Sequence, residues 1–231
     1  TKDGALRPPR LGLLDYMLRD YDPARRDLVF VPVGLNYDRV LEDRTQLAGA
    51  AGQRMGAAST AAGAARFTLR NAWQWVGGRW HRFGYACVNF GTPISMRDWL
   101  AERGGLRALP REERARRVQE LGDELIGAVG QVIPALPVPL VATVLLDSDE
   151  PLTSLEVHRR TQTLARRIQA VGGHVYVPRT DEEYATAVGL RALILRRLIE
   201  ERDGSFAPVP AEVPVLRYYA NSIRHLLQEE V

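Results

Sequence analysis

The chain has 231 residues, 45% of them hydrophobic, with a formal charge of +3. That is enough apolar surface for one large or two small packed domains, and it excludes global disorder. Lys2 is the only lysine among 31 basic residues, and 28 acidic residues interleave with the arginines, so no basic stripe of the kind that reads nucleic acid emerges.

The start, Thr1-Lys2-Asp3-Gly4, is polar and carries no signal-peptide pattern. It also lacks an initiator methionine, as expected of a segment within a longer protein or of a trimmed chain. Lys2, Arg7 and Arg10 are interleaved with Gly4, Pro8, Pro9 and Gly12. A stiff, cationic loop that enters a helix can hold a small phosphate by charge and by backbone donors; a solvated basic loop has the same composition. Leu11 to Tyr21 predicts a helix, with Leu14, Met17 and Leu18 at helical spacing, ended by Asp22-Pro23.

Leu28 to Leu35 is a valine-rich run that predicts a buried strand, and its place after a helix suggests an α/β unit with a mostly parallel sheet. Gly49 to Ala65 permits helix. Trp80 to Phe90 predicts a second strand, and Gly91-Thr92-Pro93 turns out of it. Trp73, Trp75 and Trp80 beside Arg70, Arg79 and Arg82 fit a hydrophobic helix–strand joint better than base stacking. Trp99 to Pro110 reads as a boundary, punctuated by Gly104-Gly105.

Beyond it the pattern turns helical. Arg111 to Val129 is a charged amphipathic helix, with Glu112 and Glu113 complementing its dipole. Val132 to Leu146 is too short to span a bilayer and holds three prolines, so it predicts a buried or interfacial segment. Thr153-x-x-Glu156 and Thr180-x-x-Glu183 predict two capping boxes; the first helix stops near Gly172-Gly173, and the second ends before Gly204. Pro214 to Leu227 predicts a final helix with proline in its first turn. Arg159, Arg160, Arg166 and Arg167 form a face that suits solvent better than anionic lipid.

No self-contained active site stands out. Of the four histidines, only His225 has a carboxylate, Glu230, five residues on, at the end of the chain. There is no P-loop, dinucleotide fingerprint, zinc-ligand cluster or nucleophile elbow. The single Cys87 allows no internal disulfide, which fits a reducing compartment.

Four segments, in order, resemble the glycerol-3-phosphate acyltransferase family. They are Thr1-Lys2-Asp3-Gly4 with Arg7-Pro8-Pro9-Arg10-Leu11-Gly12; Val31-Pro32-Val33-Gly34-Leu35-Asn36-Tyr37-Asp38; Val88-Asn89-Phe90-Gly91-Thr92-Pro93-Ile94; and Tyr218-Tyr219-Ala220-Asn221-Ser222-Ile223-Arg224-His225. The first is similar to the end of the third conserved block of glycerolipid acyltransferases and the second to the fourth block, and the last two point to the large bacterial-type glycerol-3-phosphate branch and its dihydroxyacetone-phosphate relative.

The resemblance implies a C-terminal portion that lacks the catalytic His-x-x-x-x-Asp block, which would lie before Thr1. It implies an α/β fold: a partial acyltransferase-type α/β layer over residues 1–110, followed by a mainly helical C-terminal domain over residues 111–231. It implies acyl transfer from acyl-CoA or acyl-carrier protein to glycerol 3-phosphate in phospholipid synthesis, without cofactor or metal, at the cytoplasmic face of the membrane as a peripheral protein. No catalytic residue falls in this chain; Lys2 and Arg10 are the substrate-binding candidates, Lys2 standing where relatives often have arginine. Pro32 and Val33 become wall residues. Tyr37 and Asp38 lie at the pocket edge or serve as a strand-end hydrogen bond, the reading the residues favour. The alternative is a non-catalytic helical interaction module that keeps an acyltransferase-like remnant.

Overall fold

A computed structural model describes residues 2–50, 84–107 and 109–227. The helical expectation for Gly49 to Ala65, the start of the Trp80 strand, the three tryptophans and Glu230 fall wholly or largely outside them.

The first region is a mixed α/β arrangement. Helix α1 (Leu11–Leu18) follows the extended Arg10 and closes sooner than its apolar pattern suggests, on a turn from the Arg19 amide to the Tyr16 carbonyl. The expected strand is broken by Pro32 into β1 (Val29–Phe30) and β2 (Val33–Tyr37). After α2 (Asp43–Ala50) the chain returns as β3 (Ala86–Phe90) and β4 (Ile94–Ser95).

β1 pairs with β4 and β2 with β3, both antiparallel. A bond from the Gly91 amide to the Pro32 carbonyl links the two pairs, and bonds from the Met96 amide to the Leu28 carbonyl and from the Asp38 amide to the Tyr85 carbonyl extend their outer ends. This corrects the parallel-sheet expectation: every ladder between the described strands is antiparallel. It also corrects the reading of Leu28 to Leu35 as a strand buried on both faces, because β2 alternates exposed and buried residues.

Helix α3 (Met96–Arg103) occupies part of the expected boundary. Ser95 starts it by accepting the Asp98 amide at 3.1 Å, and Gly104, at φ +87°, ends it. With α4 (Arg111–Val132), α1 and α3 close a small core around Leu18, Met96, Trp99 and Leu121.

The second region is mainly helical. Helix α5 (Pro137–Leu146) is buried from Pro137 to Leu145 and forms its axis. No described helix is long and apolar enough to cross a membrane. Around α5 pack α6 (Ser154–Ala170), α7 (Glu182–Leu195) and α8 (Val213–Asn221), with a three-stranded antiparallel sheet of β5 (Leu152–Thr153), β6 (Ile199–Arg202) and β7 (Ser205–Pro208).

The Thr153–Glu156 box forms as expected. The second box does not: the helix starts one residue later than that pattern implies, and Asp181 caps α7 by accepting the Tyr184 amide at 2.9 Å. Gly204 belongs to the two-residue Asp203-Gly204 turn of the β6–β7 hairpin, both residues at positive φ, and not to a helix end. The last helix stops at Asn221, and Arg224–Leu226 continues as a 3₁₀ turn.

Candidate functional site

Three of the four family-like segments line one cleft of about 340 Å³. Gly4, Ala5 and Leu6 of the N-terminal loop face Leu35, Asn36 and Tyr37 of β2 and Tyr218, Tyr219 and Ser222 of α8 and its end. The fourth segment, in β3, is the ladder partner of β2.

Close backbone contacts hold the cleft together. A Cβ on Gly4 would lie 2.0 Å from the Tyr218 carbonyl oxygen, so only glycine lets the loop rest on α8; Asn221 Nδ2 donates to the Asp3 carbonyl at 2.9 Å nearby. A Cβ on Gly34 would lie 2.2 Å from the Val132 carbonyl oxygen, so β2 seats directly on the end of α4. Asn89 Nδ2 donates to that same carbonyl at 3.1 Å.

The polar side chains around the cleft satisfy one another. Asn36 Nδ2 donates to the Pro134 carbonyl at 2.8 Å and to Ser222 Oγ at 3.2 Å, and Ser222 Oγ donates to the Tyr219 carbonyl. The Tyr218 hydroxyl donates to Gln46 Oε1 at 3.0 Å. The Tyr219 hydroxyl donates to Asp43 and accepts from the Val40 amide and from Arg196, which also pairs with Asp43. Burial pushes the Tyr219 phenol up, with Arg196 opposing, so it stays protonated. A buried ion pair that shares a phenol ties α2 to α7 and α8; losing one member leaves a buried charge short of a partner.

Asp38 lies just beyond β2 and is 2% exposed. Its Oδ1 accepts the Val138 amide at 2.9 Å, and its Oδ2 the Tyr85 amide at 3.0 Å. Val138 is in the first turn of α5, whose first residue is proline, so this carboxylate caps a helix from 100 residues away. Burial raises its pKa to about 6, against the two amide bonds. The strand-end reading of Asp38 holds, at a helix terminus.

Arg10 and Lys2 are both exposed. Arg10 immediately precedes α1 and stands at the rim of an apolar groove of about 280 Å³ between α1 and α4, lined by Leu14, Met17, Leu125 and Ile126 among others; Lys2 does not line it. Arg7 pairs with Asp3. Arg159, Arg160 and Arg167 line an open cleft of about 430 Å³ on α6, and Arg166 is also exposed.

Among the described residues, no histidine lies within ion-pair distance of a carboxylate. His158 Nδ1 meets the Thr186 hydroxyl. His225 Nε2 is 3.0 Å from the Gly130 carbonyl and must carry the proton, since a carbonyl only accepts; burial holds this ring below the usual imidazole pKa. Glu230, five residues beyond His225, lies outside the described residues. Among those residues, no His, Cys, Asp and Glu group could hold a metal ion.

Sequence reasoning did not foresee the Asp43–Arg196–Tyr219 network or the Asn36–Ser222 contact. Tyr219, Asn36 and Ser222 stood inside quoted segments, but nothing local marks Asp43 or Arg196.

Comparison with known proteins bears on residues 72–230, which match the model of the glycerol-3-phosphate acyltransferase C-terminal region. The chain is 28% identical over 239 residues to a glycerol-3-phosphate acyltransferase of Pseudomonas entomophila, covering 98% of this chain and 28% of that protein. It is similarly 28% identical to the Pseudomonas putida W619 protein of that name, and 31% identical over 156 residues to that of Pseudomonas fluorescens SBW25, where 64% of this chain is covered. The match thus spans little more than a quarter of the length of the first two relatives and 18% of the third.

Proposed function

The chain belongs to the glycerol-3-phosphate acyltransferase family, and from that premise we propose that it is the C-terminal part of an enzyme that moves a fatty acyl group from acyl-CoA or acyl-carrier protein to the 1-hydroxyl of glycerol 3-phosphate. Residues 1–110 close the acyltransferase α/β domain, and residues 111–231 form a helical C-terminal domain. The observation that carries this reading is the meeting of the N-terminal loop, β2 and α8 in one cleft, since these segments are far apart in sequence and each resembles the family.

The chemistry divides between this region and the polypeptide before it. An alcohol is a poor nucleophile at neutral pH, so a base must take its proton during attack on the thioester. The absence of any histidine–carboxylate pair among the described residues supports placing that base, the family's His-x-x-x-x-Asp block, upstream. The role left here is to hold the acceptor's phosphate, which decides which hydroxyl faces the thioester. Lys2 and Arg10 are the residues for it: both are exposed cations, and both belong to the loop whose Gly4 to Leu6 stretch lines the cleft. The product is an amphiphile, so the whole enzyme works as a peripheral protein at the cytoplasmic face of the membrane.

Replacing Arg10 by alanine in the full-length enzyme tests the phosphate role. A charge-assisted contact is worth about 1.5–3 kcal/mol, so kcat/KM for glycerol 3-phosphate should fall about tenfold to a hundredfold or more, with little change in acyl-CoA dependence. Arg10→Lys should recover part of the loss. An unchanged response to glycerol 3-phosphate removes Arg10 from the site.

A further inference from the structure

The paired strands β2 and β3 have two unlike faces. One carries Gly34, Asn36 and Asn89 and is fastened to the end of α4 and to Ser222. The other carries Val33, Leu35 and Tyr37 opposite Phe90, Val88 and Ala86 in register. On that face Val33 is 42% exposed, Leu35 46%, Tyr37 39%, Val88 49% and Phe90 72%. It has no charged residue and no polar one beyond the tyrosine hydroxyl. A contiguous apolar face of this kind marks an interaction surface, whereas scattered exposed hydrophobics do not.

We propose that this face is the docking surface for the polypeptide that precedes residue 1 in the longer protein, which lays an uncharged, apolar layer across β2 and β3. The inference rests on the reading of the chain as the C-terminal part of a longer acyltransferase, and three observations select the occupant. The matched family model is a C-terminal region and the relatives are more than three times as long, so in proteins of that kind most of the polypeptide precedes this region. The loop through which that polypeptide arrives is anchored beside the face: Gly4 to Leu6 line the same cleft as Leu35 and Tyr37. The face is also complementary to a protein layer, since a sheet buries its apolar side against helices or a second sheet. A charged partner would meet no counter-charge here.

Hydroxyl-radical footprinting of the full-length protein decides the matter, because two tyrosines provide a matched comparison. Tyr37 is 39% exposed and Tyr176, in the helical region, 36%. In the full-length protein Tyr37 should be modified at least about fivefold more slowly than Tyr176, approaching the buried Tyr219, and Phe90 should be protected with it. Equal modification of Tyr37 and Tyr176 overturns the proposal. So does protection of Tyr37 that disappears on dilution, which would make the occupant a second copy, or protection that persists in the 231-residue chain alone, which would place the occupant inside this chain. Acyl transfer by the same preparation is read separately. An active enzyme with an unprotected face sinks the docking but not the functional reading; a protected face in an enzyme without activity toward glycerol 3-phosphate sinks the functional reading and upholds the docking.

Discussion

The two regions of this molecule treat their apolar residues differently. Among the described residues, fifteen large hydrophobic side chains are exposed, and eleven of them lie between Leu13 and Phe90. In the helical region nearly the whole of helix α5, Pro137 to Leu145, is buried, and the core around it joins α5 to α6, α7, α8 and the small sheet. The first region buries a much smaller set, and does so only with the help of α4. The lesson lies in Val29 to Leu35. A continuous apolar run is the pattern of a strand covered on both faces. Here β2 is covered on one face, and its alternate residues stand in solvent. Sequence pattern and observed burial disagree at the place where the proposed upstream layer would fit.

The sharpest way to break this comparison is to truncate one side chain in each region of the 231-residue chain. Leu193 is fully buried, so Leu193→Ala should cost about 2–5 kcal/mol in denaturant unfolding. Val88 is half exposed, so Val88→Ala should cost no more than about 1 kcal/mol. Comparable losses would mean that the β2–β3 face is already packed within this chain.

A smaller effect sharpens the joint between the regions. Asp38 caps α5 from the end of β2, and its pKa is raised from 3.8 to about 6 by burial. A carboxyl whose folded pKa is raised contributes stability that is fully present below its unfolded pKa and is lost as pH rises through the folded one. Relative to Asp38→Asn, the chain should therefore lose stability as pH climbs from about 4 to about 6, by up to about 3 kcal/mol, and then level off. Chemical denaturation of both proteins across that range measures it. A difference that stays flat or grows with pH shows that the two amide bonds outweigh burial.

Much of the helical region was legible because its signals are local. Thr153 with Glu156, Pro214 in a first turn and the amphipathic Arg111 helix each carry their own start signal. The misreadings were local as well: Asp181 took the capping role from Thr180, and Asp203-Gly204 made a hairpin turn where a helix end was expected. Helix α3 was missed because its Ser95 cap follows a proline turn and its span was read as a boundary.

The cleft was legible only in pieces. The resemblance selected Gly4, Asn36 and Tyr219, but their meeting depends on contacts between residues up to 218 positions apart, such as Asn221 with Asp3. Asp43 and Arg196 carried no signal, since an acid and a base 153 residues apart look like any surface charges until the fold buries them together.

The central claim is that this region shapes and holds an acyltransferase whose base lies upstream. Acyl transfer from a long-chain acyl-CoA to glycerol 3-phosphate, measured side by side for the purified 231-residue chain and the full-length protein, tests it most directly. The account predicts turnover by the full-length protein and none above background by the chain alone; robust turnover by the chain alone would contradict it.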